Sequence, residues 1–330
     1  MARISPCLLA GFTIAGACLA TAAHAQSAPV GTWPERTVRI IVGFPPGQAT
    51  DTTARLIADK LTTRLGQSVI VENRPGQAGS IALAGLKRAP ADGYTLGLAA
   101  VASLATNPHL YKSLGYDPLA DFTPVSIIGS GPLLLLANAD MPFSTVKGFV
   151  DHAKAHPGKL NYCSTGNGTI SHLAMELFAR KAGLSLTHVP YQGSAKAMGD
   201  LATGEVSVCF DTIGASQPML RTGKIKVLGV ATLQRLELLP DVPTLSESGY
   251  KDFEAAPYIG MLVPAGTPSE VVDRMYKELR EIGTLPDIQQ ALKNTGTVSV
   301  FSSPGAFSEQ LRADFEKWRA VIHEADIRLN

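Results

Sequence analysis

The sequence predicts an α/β protein made of two doubly wound lobes that two crossover strands join. Three observations support this prediction. Short β-rich runs alternate with helical patterns along almost the whole chain, about 300 residues exceed a comfortable single core, and two long apolar runs lack a crossover helix of their own. Two crossings make a hinge, and a hinge between such lobes suits closure around a small ligand. A single large sheet is the alternative interpretation.

The first half of the chain is predicted as βαβαβ. The strands are predicted at Val38–Val42, Ser68–Glu72 and Thr95–Ala99, and the helices around Leu56 to Leu61 and at Ile81–Ala89. In the second half, strands are predicted at 160–163, 188–190, 206–210 and 225–231, and helices at 149–156, 171–182 and 195–203. Three helices are predicted to end the chain, at 270–282, 286–294 and 304–324.

The two apolar runs, Val125–Leu136 and Tyr258–Val263, are predicted to be the crossings. This places residues 26–133 and 257–330 in a discontinuous lobe 1 and residues 134–256 in lobe 2. Lobe 2 is then an insertion within lobe 1.

The first 25 residues have the pattern of a cleaved secretory signal. Arg3 supplies the positive charge, Cys7–Ala20 is an apolar run, and Ala23-His24-Ala25 places small residues at the positions that a signal peptidase reads. The run is shorter than the roughly 20 residues of a membrane span, which disfavours an anchor. A lipoprotein that uses Cys18 is disfavoured because the preceding residues lack a large aliphatic side chain. The expected location is the periplasm.

Composition excludes some partners and leaves the cysteines undecided. The 29 Lys and Arg nearly balance the 28 Asp and Glu, so neither nucleic acid nor an anionic membrane is expected as a partner. The mature chain keeps Cys163 and Cys209, which an oxidising compartment can pair in a disulfide. Two buried free thiols are the alternative.

Three strand-to-helix turns combine small residues with hydroxyl groups directly before a helix. They are 44–51 (FPPGQATD), 164–171 (STGNGTIS) and 191–194 (YQGS). Each turn directs free backbone N–H groups and the positive end of a helix dipole to the edge where open α/β sheets bind ligands. One such turn is no more than a well-capped helix, but three in both halves indicate an anion site between the lobes.

Many short segments, in the same order, resemble the periplasmic receptors of tripartite tricarboxylate transporters, the Bug family. The resemblance covers nearly the whole mature chain and rests on 33–34, 38–51, 71–76, 92–96, 116–118, 121–125, 161–164, 172–176, 189–193, 200–201, 210–211 and 240–244. It implies a two-lobed, type II-like periplasmic binding protein fold. It also implies that a small carboxylate is captured and delivered to integral-membrane transporter subunits by a monomeric receptor, with no cofactor and no metal.

The resemblance also carries over ligand-facing residues by position. They are Phe44, Gly47, Gln48, Ala49 and Asp51 in lobe 1, and Ser164, Thr165, Thr169, Ser171, His172, Tyr191 and Asp211 in lobe 2. Two residues depart from the family pattern: Gln48 replaces a usual glycine, and Tyr258 stands near a position that is often Trp.

Three of these residues have a second interpretation. His172 starts a helix, where the dipole disfavours its protonated form, so a neutral histidine that orders the loop is the alternative to ligand contact. Asp51 and Asp211 would repel an anion. Asp51 is therefore a candidate helix cap, and Asp211 a candidate partner for a ligand amino or hydroxyl group, a water or a loop amide.

An enzyme is disfavoured because the chain lacks a Gly-x-Ser-x-Gly elbow, a His-Glu-x-x-His motif and a Cys-x-x-Cys pair in its mature part. A hydrolase with Ser164, His172 and Asp211 as a triad is the remaining catalytic hypothesis. A loaded receptor that docks on a membrane sensor kinase is a further alternative, and it is compatible with ligand binding.

Overall fold

The computed structural model describes residues 33–329, and their strands form two separate sheets. The predicted signal peptide, residues 1–25, lies outside the described residues. Among residues 33–329, no helix combines the length and the apolar character that a bilayer span requires.

The six-stranded sheet has the order β11-β4-β10-β3-β1-β2. Its strands are β1 (Val38–Val42), β2 (Val69–Asn73), β3 (Thr95–Ala100), β4 (Phe122–Ser130), β10 (Tyr258–Pro264) and β11 (Val298–Ser299). The helices of this part are α1 (Ala49–Leu65), α2 (Ser80–Leu86), α3 (Asn107–Leu110), α8 (Ser269–Gly283), α9 (Pro286–Asn294) and α10 (Pro304–Glu324).

The five-stranded sheet has the order β7-β6-β8-β5-β9. Its strands are β5 (Leu133–Asn138), β6 (Asn161–Ser164), β7 (Thr187–Pro190), β8 (Val208–Thr212) and β9 (Ile225–Val230). Its helices are α4 (Val146–Ala155), α5 (Ile170–Ala182), α6 (Ser194–Thr203) and α7 (Ile213–Arg221).

Apolar strands explain why both sheets are covered by helices. In β1 every residue except Arg39 is buried, and all six residues of β5 are buried. Strands that are buried on both faces need helices on both faces, as the alternation of elements predicts. Helix α1 buries Ile57 and Leu61 against this sheet and ends at Gly66, which adopts the left-handed conformation that favours glycine.

The sheets are mixed, whereas the alternation of elements alone predicts parallel ones. Strands β1, β2 and β3 are parallel to each other, as are β6, β7 and β8. Strand β10 is antiparallel to both of its neighbours, and so is β5. The reason is that β5 and β10 each enter a sheet by a direct crossing, without a helix that would turn the chain back to the parallel direction.

The two crossings lie beside each other. The run predicted as one strand, Val125–Leu136, is in fact two strands that break at Gly131 and Pro132, where Pro132 offers no N–H to a ladder. The second crossing lies just before β10, since Ala255 N donates to Ala231 O (3.0 Å). Gly131 N donates to Pro257 O (2.7 Å), which ties the two crossings together.

The crossings join one particular edge of each sheet. Strands β1 to β4 end at this edge of the six-stranded sheet, and β10 begins there. Strands β6 to β9 end at the matching edge of the other sheet, and β5 begins there. We call these the two carboxyl edges, and the short crossings hold them close to each other.

Candidate ligand site between the two carboxyl edges

The two carboxyl edges touch at two places. At one place, a Cβ atom added to Gly168 would lie 2.6 Å from Leu110 Cδ1, so the turn before α5 packs against α3. At the other, a Cβ on Gly296 would lie 2.6 Å from Gly214 N, so the start of α7 approaches the backbone before β11. The carboxyl edges of the two sheets therefore face each other, and we call the space between them the cleft.

The first turn, between β1 and α1, presents unpaired backbone donors. The N–H groups of Ala49 and Thr50 have no acceptor among residues 33–329, and Gln48 does not cap the helix with its side chain. Gly47, Gln48 and Ala49 are exposed, and Phe44 is half-buried. The positive end of the α1 dipole is therefore open to an anion from the cleft.

Asp51 holds this turn in shape. Its Oδ2 accepts from Gly47 N (2.8 Å) and Arg55 Nε (3.0 Å), and its Oδ1 accepts from Asn73 Nδ2 (2.8 Å). Although burial raises the pKa of Asp51, the hydrogen bonds from Arg55, Gly47 and Asn73 bring it down to about 2. These three donors occupy both carboxylate oxygens of Asp51 and hold the turn in shape.

The sequence interpretation missed the turn after β2. Asn73 also donates to Phe44 O (2.9 Å), and Gln77 and Ala78 have positive φ angles between Gly76 and Gly79. A Cβ on Gly43 would collide with the backbone of Gly79. The turn after β1 and the turn after β2 therefore pack backbone against backbone. The Gly76-Gln77-Ala78-Gly79 run after a predicted strand is the signal that could have indicated this turn.

The second turn, between β6 and α5, is a network of hydroxyl groups. Ser171 Oγ accepts from Thr165 N (2.9 Å) and lies 3.0 Å from the hydroxyl oxygens of both Thr165 and Thr169. Thr169 Oγ1 donates to Gly166 O (2.7 Å). The N–H groups of Ile170 and Ser171 find no acceptor among the residues that the structure describes.

His172 lies beneath this turn and orders it. Its Nδ1 accepts from Gly168 N (3.1 Å), and burial lowers the pKa of His172 to about 4. The ring is therefore neutral at pH 7, which gives the loop-ordering role a physical basis. His172 stacks on His188, whose Nε2 lies 2.7 Å from Ser164 Oγ.

The third turn, between β7 and α6, is joined to the second. Tyr191 N donates to Ser164 O (3.0 Å), and Gly193 N donates to Thr165 O (3.1 Å). The Tyr191 hydroxyl donates to Asp200 Oδ2 (2.9 Å) within α6, so this hydroxyl points along the helix.

Asp211 is buried at the end of β8 with one free oxygen. Its Oδ1 accepts from Ser194 Oγ (3.1 Å) and Thr212 N (2.7 Å), whereas Oδ2 has no partner among residues 33–329. Burial raises the pKa of Asp211 to about 6 despite these hydrogen bonds.

The structure joins Cys163 of β6 to Cys209 of β8 in a disulfide, with Cα atoms 5.0 Å apart. The two cysteines face each other in the parallel register of these strands. The bond therefore links the strands whose ends carry Ser164 and Asp211.

The predicted residues thus form two sets. Phe44, Gly47, Gln48, Ala49 and Asp51 share the turn after β1, and the lobe 2 residues form a connected group at the other edge. Within residues 33–329 no hydrogen bond joins the sets directly. Ser164, His172 and Asp211 each bond to other partners and do not form the hydrogen-bond chain of a catalytic triad.

The fold and this cleft define a class, the two-lobed periplasmic solute-binding proteins. The chain belongs to the tripartite tricarboxylate transporter family receptor group (TctC), whose sequence profile matches residues 53–327.

It is 32% identical to the protein BugT of Bordetella pertussis, over 96% of this chain and 97% of that one. It is similar to a solved R. palustris structure with adipate, with 35% identity, a TM-score of 0.75, and coverage of 90% of this chain and 99% of that one. A third relative is MatC from Rhodopseudomonas palustris with bound malate, with 30% identity, a TM-score of 0.71, and coverage of 88% and 100%.

Proposed function

We propose that this protein is a periplasmic receptor that captures a small carboxylate between its carboxyl edges and delivers it to a tripartite tricarboxylate-type membrane transporter. The observation that carries the proposal is the unpaired N–H group of the exposed residue Ala49 at the start of α1, together with the unpaired N–H groups of Ile170 and Ser171 at the start of α5 on the facing carboxyl edge. Backbone donors at helix N-termini are suited to carboxylate oxygens.

An uncapped helix start alone would be weak support, because α8 also lacks a side-chain cap. Helix α8 follows the end of β10, which runs antiparallel, so it begins at the opposite edge of the sheet. Helices α1, α5 and α6 all start uncapped at the carboxyl edges. Their arrangement around one cleft distinguishes them from α8.

The lobes of the receptor are proposed as residues 26–133 with 257–330, and 134–256. The ligand-facing set is proposed to work in two ways. Gly47, Gln48, Ala49, Thr165, Thr169 and Ser171 approach the ligand from the turns, with Phe44 and Tyr191 as aromatic walls. Asp51, Ser164 and His172 keep the turns in shape through the hydrogen bonds described above.

The strength of such a site is sufficient for a receptor. A micromolar dissociation constant corresponds to about −8 kcal/mol. Two or three hydrogen bonds to a charged group supply about 1.5 to 3 kcal/mol each, and helix ends add up to about 1 kcal/mol each. The site therefore requires no cofactor to reach this range.

Asp211 bears on which carboxylate is bound. Its unpartnered Oδ2 is a hydrogen-bond acceptor, and the carboxylate groups of a ligand offer it no donor. A hydroxyl or ammonium group on the ligand would donate to it. One relative is described with malate, which carries a hydroxyl group, and another with adipate, which does not. We propose a hydroxy or amino dicarboxylate as the ligand class for this chain.

The predicted signal peptide would send the chain to the periplasm, and closure around the ligand would create a surface that only the loaded receptor offers to the transporter. The receptor is proposed to work as a monomer and without catalysis.

The experiment is a melting-temperature screen of the mature protein with malate, aspartate, succinate, adipate, an aromatic acid and a set of sugars. Mass spectrometry of any copurifying small molecule accompanies the screen. We expect a shift with at least one carboxylate, larger for malate or aspartate than for succinate. A shift with sugars and none with any acid would contradict the proposed function. An equal shift for succinate and malate would contradict only the role of Asp211.

A further inference from the structure

The last helix and the residues after it form a further link between the two sheets. Helix α10 packs on the six-stranded sheet, since a Cβ atom added to Gly260 of β10 would lie 2.3 Å from Phe307 Cζ. Its last turn reaches the other sheet's helices, because Glu324 Oε2 forms an ion pair with Arg180 Nη2 of α5 (2.5 Å). Helix α10 therefore extends from one sheet to a helix of the other.

The residues after α10, 325–329, form what we call the C-terminal tail. Asp326 has a φ angle of 48°, and its N–H donates to His323 O (3.3 Å). The N–H of Ile327 donates to Ile322 O (3.1 Å). Together these bonds make a Schellman motif, with Asp326 at the position that glycine usually takes. The motif ends the helix and sets the direction of the tail.

Leu329, near the end of the tail, packs on the turn before α5. Its N–H donates to Leu110 O of α3 (3.1 Å), which fixes the backbone of the tail there. A Cβ atom added to Gly168 would lie 3.2 Å from Leu329 Cδ1 and 2.6 Å from Leu110 Cδ1. The two leucine side chains therefore cover the backbone of Gly168 and leave no room for a side chain on it.

Gly168 belongs to the turn that carries the lobe 2 half of the proposed site. Its N–H donates to His172 Nδ1 (3.1 Å), and it lies two residues before Ile170, whose N–H is unpaired among residues 33–329. The hydroxyl network and His172 bond to this turn from within the five-stranded half, whereas Leu329 and Leu110 contact it from the six-stranded half. The contact therefore fixes the turn relative to the facing carboxyl edge.

Covering the apolar core is a simpler role for the tail. Ile327 and Leu329 are both partly buried against that core. This role predicts a general loss of stability when the side chain of Leu329 is shortened. The contact with Gly168 instead predicts a local effect, confined to the turn at 164–171, and the two effects can be measured separately.

We propose that Leu329 is a positioning residue for the carboxylate site, because it holds the turn at 164–171, with its free N–H groups, toward the facing carboxyl edge. The contact joins the two sheets, so it is lost when the carboxyl edges move apart and is made again when they close around a ligand. The tail therefore favours the closed arrangement and raises the affinity for the ligand. This inference rests on the proposed function, since it concerns the same site.

The test combines two measurements on the mature protein. Hydrogen–deuterium exchange without ligand reports on the peptide 164–171, in which the N–H groups of Thr165, Gly168 and Thr169 are hydrogen-bonded. The peptide that contains β1 is the internal reference for global stability. Calorimetry gives the dissociation constant of the carboxylate that produces the largest melting shift.

The variants are Leu329→Ala and the conservative Leu329→Met. The matched control is Arg328→Gln, which changes an exposed side chain of the same tail that pairs with Asp326. In Leu329→Ala we expect exchange at 164–171 to be about fivefold faster and the dissociation constant to be about fivefold higher, because a half-buried leucine loses three carbon atoms of apolar contact. Leu329→Met and Arg328→Gln should stay near wild type in both measurements, and exchange in β1 should not change.

Unchanged exchange at 164–171 in Leu329→Ala, or an equal increase in β1, would overturn the proposal. Faster exchange with an unchanged dissociation constant would also overturn it, since the position of the turn would then not affect binding. If no carboxylate binds the wild type, the proposed function fails, while the exchange measurement still decides whether Leu329 holds the turn.

Discussion

The imidazole rings of His172 and His188 stack with their centroids 3.9 Å apart and their planes within 8° of parallel. Tyr162 also packs against His188, with ring centroids 4.7 Å apart, and its hydroxyl donates to Glu176. The stack lies under the turn between β6 and α5 and bonds to it through Gly168 N and Ser164 Oγ. It is the support on which the lobe 2 half of the proposed site rests.

This stack predicts a loss of stability in acid. Burial lowers the pKa of both histidines to about 4, and the neighbouring His172 adds to the effect on His188. The unfolded chain binds protons near the ordinary pKa of about 6.5, so stability is full above that pH and falls as the pH drops toward 4. We expect a loss on the order of 1 to 3 kcal/mol per histidine, measured by urea unfolding between pH 7 and 4.

The control for this prediction is His188→Phe, which keeps an aromatic ring in the stack and removes one titrating group. Its unfolding free energy should depend less steeply on pH than that of the wild type between pH 6.5 and 4. Parallel pH profiles for the two proteins would show that His188 does not contribute.

Asp51 predicts a defect in both stability and binding. Asp51→Asn removes the negative charge of the group that accepts hydrogen bonds from Arg55, Gly47 and Asn73. We therefore expect a loss of about 1 to 3 kcal/mol in unfolding free energy. Affinity for the carboxylate should fall as well, since the turn before α1 loses its support. The matched control is Asp59→Asn, an exposed residue of the same helix, which should behave as wild type.

Thr169 tests the hydroxyl network. Thr169→Val keeps the shape of the side chain but removes the hydrogen bond to Gly166 O and the contact with Ser171 Oγ. Titration calorimetry should show binding weaker by about 1 to 3 kcal/mol. Thr187→Val, on the exposed start of β7, should bind as wild type. Equal affinities for the two variants would limit Thr169 to a role at the start of its helix.

The disulfide between Cys163 and Cys209 predicts a large stability effect. It closes a loop with a sequence separation of 46, for which chain entropy gives about 4 kcal/mol. We expect the double variant Cys163→Ala with Cys209→Ala to unfold at lower urea concentration, with a loss of about 2 to 4 kcal/mol. Reduction of the wild type should approach the same midpoint, and an unchanged midpoint in both cases would contradict this role.

Most of the fold follows from local pattern. Buried β-branched runs such as Val38–Val42 and Ile225–Val230 predict strands at nearly their observed bounds. Helix α7 was missed because Gly214 and Pro218 interrupt its pattern. The run Tyr258–Val263, predicted as a crossing, lies within β10, because an apolar run looks the same in a crossing as in the interior of a sheet.

The site was predictable at the level of turns and not at the level of partners. Glycines and hydroxyls before a helix indicate where N–H groups are free, and the structure finds them unpaired there at Ala49 and Ile170. The bonds from Asn73 to Asp51 and from His188 to Ser164 join different strands and turns. Such pairs depend on the order of the strands in the sheet. A local pattern in one sequence does not encode that order.

The central claim is that backbone N–H groups at helix starts bind the carboxylate, and Ala49→Pro tests it most directly. Proline suits the first position of a helix, and Gln48 already has the extended conformation that precedes proline, so only the N–H is lost. Ser269→Pro makes the same change at the start of α8, at the opposite edge of the sheet.

The measurement is the dissociation constant, by calorimetry, of the carboxylate that gives the largest melting shift. The account predicts that Ala49→Pro raises this constant about tenfold, about 1.4 kcal/mol, while Ser269→Pro and both melting temperatures without ligand stay near wild type. An unchanged constant for Ala49→Pro would contradict the account.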